Sequence, residues 1–319
     1  MDCKRAGYAI LGALILSWAA VSQALAQAPS TAKASTDGYG DDVVAAGRRW
    51  AAGDSQGRKS LEDLAQNGRA DAQEVLGEIL STSGIAKPPE PEMACRYFQM
   101  AASSRGDALH SLAFCAEKGI GGAPDLPRAA ALYAQAAAKG YAKANCALGN
   151  LYIAGQGVPK DVRRGADLCR VGAEGGDRDA QTDLGNLYLR GVGVPHDMVQ
   201  ARLWYEKAAA QGQPNAQFVL GQIYWNGDGV AADQAKASQL LAAAYEKGRL
   251  DAAPFLGGWF AVRWMAIHPS GDTSLLDEAI RWDEAAAKSA QNQAALDAAR
   301  QALEFAQALK DASSKAEKK

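Results

Sequence analysis

The chain has 319 residues, a formal net charge of −2, and a composition that is 48% hydrophobic but only 7% aromatic. Near-neutrality supplies no electrostatic footprint for nucleic acid or for an anionic membrane surface, so neither is expected as a partner. Many small apolar residues and few aromatic ones favour helices packed through small contacts over a β-sandwich.

The first 26 residues read as a secretory signal. Lys4 and Arg5 form a short cationic region, residues 9–20 are apolar apart from Ser17, and Ala24-Leu25-Ala26 offers the small-x-small pattern of a signal peptidase site. The apolar run is shorter than the about 20 residues of a membrane span. Cys3 precedes that run, so it is not the lipid-bearing cysteine of a lipoprotein. Cleavage is expected after Ala26, leaving a periplasmic or secreted protein with no stable membrane insertion. Residues 27–40 are small and polar and read as a flexible lead-in.

Residues 41–70 are expected to form an N-terminal helical cap, with Leu61 and Ala65 already following the columns of what comes next. From 71 to 266 the chain repeats with a period of 36 residues over six units. An alanine column runs Ala72, Ala108, Ala144, Ala180, Ala216, Ala252, and a leucine column follows at Leu76, Leu112, Leu148, Leu184, Leu220, Leu256. Gly77, Gly149, Gly185, Gly221 and Gly257 come next, with Ala113 the exception. Ala, Leu and the tyrosines Tyr152, Tyr188 and Tyr224 recur at i, i+4 and i+8, one face of a first helix. A mid-helix glycine costs about 1 kcal/mol relative to alanine. Its recurrence implies a neighbouring helix passing too close for a side chain. Gly121, Gly157, Gly193 and Gly229 mark a loop, and Asp125, Asp161, Asp197 and Asp233 are placed to cap a second helix. That second helix carries Tyr97, Tyr133 and Tyr205 in one column, and it ends at Gly140, Gly176, Gly212 and Gly248. The first unit replaces the glycine loop with Lys87-Pro88-Pro89-Glu90-Pro91. The frame is lost at His268-Pro269-Ser270-Gly271, and residues 267–319 are expected to give two capping helices, about 274–289 and 293–311, and a basic tail. A helix pair of this kind cannot bury its apolar face alone, whereas stacked neighbours make one core.

The string Ala-x-x-x-Leu-Gly-x-x-Tyr-x-x-Gly-x-Gly-Val-x-x-Asp, followed by Ala-x-x-Trp-Tyr-x-x-Ala-Ala-x-x-Gly, is met in full at residues 180–197 and 201–212. It resembles the Sel1-like repeat, a relative of tetratricopeptide repeats, over about residues 60–265. The resemblance implies an all-α, right-handed superhelical solenoid of helix pairs, with a concave face lined by the first helices. It also implies an adaptor for protein–protein contacts. Exported members of the family include regulators of envelope sensors, exopolysaccharide assembly scaffolds, and cysteine-rich proteins that bind or slowly hydrolyse penicillins.

Four cysteines follow the leader: Cys95, Cys115, Cys146 and Cys169. Antiparallel neighbours lie symmetrically about the turn joining them. Cys95 and Cys115 centre on the Arg105-Gly106 turn, and Cys146 and Cys169 centre on the Gly157-Val158 loop. These two pairings are expected as disulfides, with buried free thiols the alternative.

Catalytic signals are poor. His110, His196 and His268 fall in different units with no ligand spacing. The Gly-x-Gly loops join helices and lack the preceding strand of a phosphate cradle. Ser30-Thr31-Ala32-Lys33 satisfies the Ser-x-x-Lys pattern of penicillin-recognising enzymes without its Ser-Asp-Asn or Lys-Thr-Gly partners. No catalytic residue, cofactor or metal is expected. Partner contacts are expected instead from a first-helix column reading Glu78, Phe114, Asn150, Asn186, Gln222, Gly258, whose three amides could hydrogen-bond an extended peptide. Asp183, Arg190, Phe218 and Trp225 lie beside them, while Trp204 and Trp259 fall in core columns. The reading is a non-catalytic envelope scaffold for a protein or peptide partner. The alternatives are a peptidoglycan- or polysaccharide-binding protein and, behind it, a penicillin-binding or β-lactamase-like repeat protein.

Overall fold

A computed structural model describes residues 38–82, 89–267 and 273–316, and these are all-helical. The signal sequence, residues 27–37 of the lead-in with Ser30 and Lys33, Lys87-Pro88 and His268 lie outside the described residues. The chain folds as two compact units, residues up to 165 and from 166 onward.

In the first unit, helices α1 (Asp41–Ala51) and α2 (Ser55–Gln66) precede the repeats. They form a helix pair with Val43, Trp50, Leu61 and Ala65 buried. It is followed by α3 (Ala70–Ser81), α4 (Pro91–Ala101), α5 (Gly106–Lys118), α6 (Leu126–Ala138) and α7 (Ala142–Ala154), and α8 (Val162–Glu174) begins here. Each of α2 to α7 packs on the helix before it. The second unit holds the rest of α8, then α9 (Arg178–Arg190), α10 (Met198–Ala210), α11 (Pro214–Asn226) and α12 (Gln234–Glu246). A 3-10 turn at Leu250–Ala252 leads into α13 (Ala253–Ile267), α14 (Ser274–Ser289) and α15 (Gln293–Ala316). Here too α10 to α15 pack in chain order. Helix α14 has the expected bounds, and α15 runs five residues past the expected 311. No described helix is long and apolar enough to cross a membrane.

The repeat columns are the core. All six alanines and all six leucines of the two anchoring columns are buried, and each leucine removed from water contributes about 1.5–3 kcal/mol. The loops end and restart helices as the residue types dictate. Gly155 and Gly191 adopt φ of 70° and 65°, where a Cβ would be strained, and so close α7 and α9. Asp125, Asp161, Asp197 and Asp233 each accept backbone N–H bonds at 2.9–3.0 Å from the first turn of the following helix.

The glycines beside the leucines mark close approaches. A Cβ on Gly185 would lie 2.8 Å from the ring of Tyr205, and one on Gly221 would lie 2.8 Å from Leu241. Two units depart from the column pattern. In the first, Gly77 faces Phe98, which is 4% exposed, and the expected column residue Tyr97 is only half-buried. The proline-rich loop delivers an α4 of 11 residues where the other second helices of the matched pattern have 13, and it advances the ring position by one. In the last, Gly257 faces the carboxylate of Asp283. Asp283 is 2% exposed, and burial alone pushes its pKa up to about 6.

Candidate interaction faces

Among the described residues no group of three His, Cys, Asp or Glu side chains could hold a metal. Polar chemistry is concentrated instead where first helices meet their neighbours, and each unit has its own arrangement.

In the first unit, Arg105 is the centre. It donates from Nη2 to Asp107 at 2.6 Å and from Nε to Glu74, whose side chain is 1% exposed. Burial first, and then the hydrogen bond to Asp107, push the Glu74 carboxyl well above the usual carboxylate range. Asp107 is held below that range by its hydrogen bonds to Glu74 and Arg105, which together outweigh its desolvation. Burial thus favours the neutral form of Glu74, which as an acid donates a hydrogen bond to the Asp107 carboxylate, and Asp107 pairs with Arg105. Tyr39 lies over the Arg105 guanidinium at 4.4 Å, and its hydroxyl pKa is raised, mainly by burial. Nearby, His110 is buried between Tyr133 and Tyr141, with ring centroids at 5.3 and 5.2 Å. Asn150 is exposed on α7.

In the second unit, three of the expected contact residues converge. Tyr205 has a fully buried ring set into the Gly185 niche, and its hydroxyl donates to Asn186 Oδ1 at 2.8 Å. Burial raises the Tyr205 pKa, the charge of Arg190 opposes the rise and that of Asp183 adds to it, so both charges act on the hydroxyl that Asn186 accepts from. The tyrosine column reads from the sequence as core alone. The helix-facing glycine was the signal that its ring must cross to the neighbour's polar edge.

The aromatic residues divide. Phe218 is 8% exposed and belongs to the core, edge-on to Phe255 at 5.9 Å and covered by Arg249 at 4.5 Å, so it is not the surface contact expected of it. It shares a core cluster with Ala253 and Leu256 of α13. Trp225 remains half-buried and meets the same Phe255 edge-on at 6.3 Å. Gln222 is half-buried on the same helix. Trp204 and Trp259 are buried, as their columns imply, and His196 is exposed on a loop.

Cys95 and Cys115 form a disulfide joining α4 to α5, with Cα atoms 6.1 Å apart. Cys146 and Cys169 are both buried and both disulfide-bonded.

No curated protein matches the chain. Among solved structures, it is similar to a Sel1 repeat protein from Oxalobacter formigenes, with 25% identity, a TM-score of 0.59, and coverage of 80% of this chain and 100% of that one. It is also similar to a protective antigen of uropathogenic Escherichia coli displaying an SLR fold, with 26% identity and a TM-score of 0.55 over 80% of this chain. That match spans 54%, about half, of the antigen's length. The Sel1 repeat model matches residues 70–104, 106–141, 142–177, 178–213 and 214–248, five repeats covering more than half of the chain. All five of these repeats begin on the first residue of a first helix, and the last stops before the unit in which Asp283 replaces the usual packing against glycine. By sequence, by helix pairing and by the residues that bind the pairs together, the chain belongs to the Sel1 repeat family, whose repeats mediate protein–protein interactions.

Proposed function

We propose that the chain is an exported, non-catalytic scaffold of the bacterial cell envelope that holds a protein or peptide partner. The contact residues would be Asp183, Asn186, Arg190, Gln222 and Trp225 of the second unit. One observation carries this reading: the Tyr205 hydroxyl donates to Asn186 within the field of Asp183 and Arg190, and a half-buried tryptophan stands on the following first helix. Donors, acceptors and an aromatic surface in one neighbourhood suit recognition of a polypeptide. Structural disulfides fit an oxidising compartment and so support export. The test is quantitative co-purification from envelope extracts of the native chain and of an Asp183→Ala/Arg190→Ala variant. A protein recovered with the native chain should fall at least about tenfold with the variant, the effect of losing about 1.4 kcal/mol. Equal recovery would refute this face as the site.

A further inference from the structure

Arg69 and Arg105 occupy equivalent places, each at the N-cap of a first helix and two residues ahead of an acid. Arg69 binds Asp71 through Nε at 3.0 Å and Nη2 at 2.8 Å, and Arg105 binds Asp107 through Nε at 3.2 Å and Nη2 at 2.6 Å. The segment Gly38–Gly40 lies across both pairs. Arg105 Nη1 donates to the Gly38 carbonyl at 3.1 Å, and the Gly40 N–H donates to Asp71 Oδ2 at 2.9 Å. Between these two bonds the Tyr39 ring stacks on Arg105. Gly40 is extended, with φ −70° and ψ 147°, and a Cβ there would meet Arg69 Nη2 at 2.3 Å. Beneath Arg105, buried Glu74 fixes the guanidinium from the core side.

This is how extended peptides are read in general: main-chain bonds supply affinity, and one side-chain position supplies specificity. A cation held by Asp107 and by the buried Glu74 carboxyl is a prepared platform for an aromatic ring. Neither the carbonyl bond, the N–H bond nor the stacked ring requires the segment to be tethered.

We propose that the Arg69–Asp71 and Arg105–Asp107 pairs form a binding site for an extended protein segment carrying an aromatic residue followed by glycine. The chain fills this site with its own Gly38–Gly40, and a partner segment of the same chemistry takes it over by displacing them. The site belongs to the first unit alone, so it stands or falls independently of the Asp183–Arg190 face.

The probe is a fluorescent, acetylated peptide spanning residues 36–42, titrated by anisotropy into the full chain and into its Tyr39→Ala variant. A tethered segment competes at millimolar effective concentration. The peptide should therefore bind the variant at least about tenfold more tightly than the native chain. Placing Ala for Tyr in the peptide, or adding Arg105→Ala to the variant, should abolish that gain. Should Tyr39→Ala lose helicity, Tyr39→Leu keeps the apolar volume without the ring and serves in its place. Equal affinity for native chain and variant overturns the proposal, as does no binding to a helical variant. Unfolding of both variants overturns it as well, because the segment would then be part of the core.

Discussion

Two buried acids in this chain are handled in opposite ways. Glu74 is accommodated by partners: as a neutral acid it accepts from Arg105 and donates to Asp107. An amide can do both, so Glu74→Gln should change thermal or denaturant stability by less than about 1 kcal/mol. Glu74→Ala strips a half-buried guanidinium of one partner and should cost about 1–3 kcal/mol. A large loss with Gln would mean that the charge, and not the hydrogen bonds, is what matters. Asp283 has no such accommodation, and burial alone raises it to about 6. Its folded pKa lies above the unfolded value near 3.9, so its proton stabilises the fold at low pH. That contribution is lost as pH rises from about 4 through 6. Asp283→Asn should therefore be close to neutral at pH 4 and more stable than the native chain by about 2–3 kcal/mol at pH 7. A stability difference that does not grow with pH would contradict the assignment. Neither acid could be singled out from the sequence, because burial of a carboxylate depends on what the neighbouring helices bring against it.

At the scale of helices, the anchoring alanines and leucines, the capping aspartates and the cysteine pair joining α4 to α5 were all legible. Each is fixed by local spacing, either the 3.6-residue turn or symmetry about a connection. The place of Phe98 was not. A loop of different chemistry shifted the ring position by one residue while the 36-residue spacing of the alanines stayed intact. Phe218 was misread for a related reason, since a column shows which residues are equivalent but not whether α13 covers them. The close approach at Gly185 predicts that Gly185→Ala, although better for an isolated helix, destabilises by about 1–2 kcal/mol through overpacking against Tyr205. Shrinking the ring in a Gly185→Ala/Tyr205→Leu double variant should recover part of that loss, measured as a coupling energy in a double-mutant cycle. The Cys95–Cys115 bridge closes a separation of 20 residues. Its removal as Cys95→Ala/Cys115→Ala should cost about 2–4 kcal/mol by urea unfolding.

For the molecule as a whole, belonging to the family sets the kind of function, and the particular surface sets the partner. Near-neutral charge offers no long-range steering, so the proposed recognition would rest on local groups such as those around Tyr205. The two polar centres differ in a way the repeat pattern concealed: one is met by the chain's own Gly38–Gly40, the other joins α9 to α10 through the Tyr205–Asn186 bond. If the N-terminal segment is exported as proposed, Edman sequencing of the envelope form should begin at Gln27, and retention of Met1 would contradict it. The central claim, that the Asp183–Arg190 face and its neighbour on α11 bind a protein, is tested most directly by photo-crosslinking in cells. A crosslinking amino acid would be placed at Asn186 and Gln222, and at the exposed Val171 and Val199 as controls. The account predicts one discrete adduct from positions 186 and 222 that is absent from 171 and 199. Equal labelling at all four positions, or an adduct from the controls alone, would contradict it.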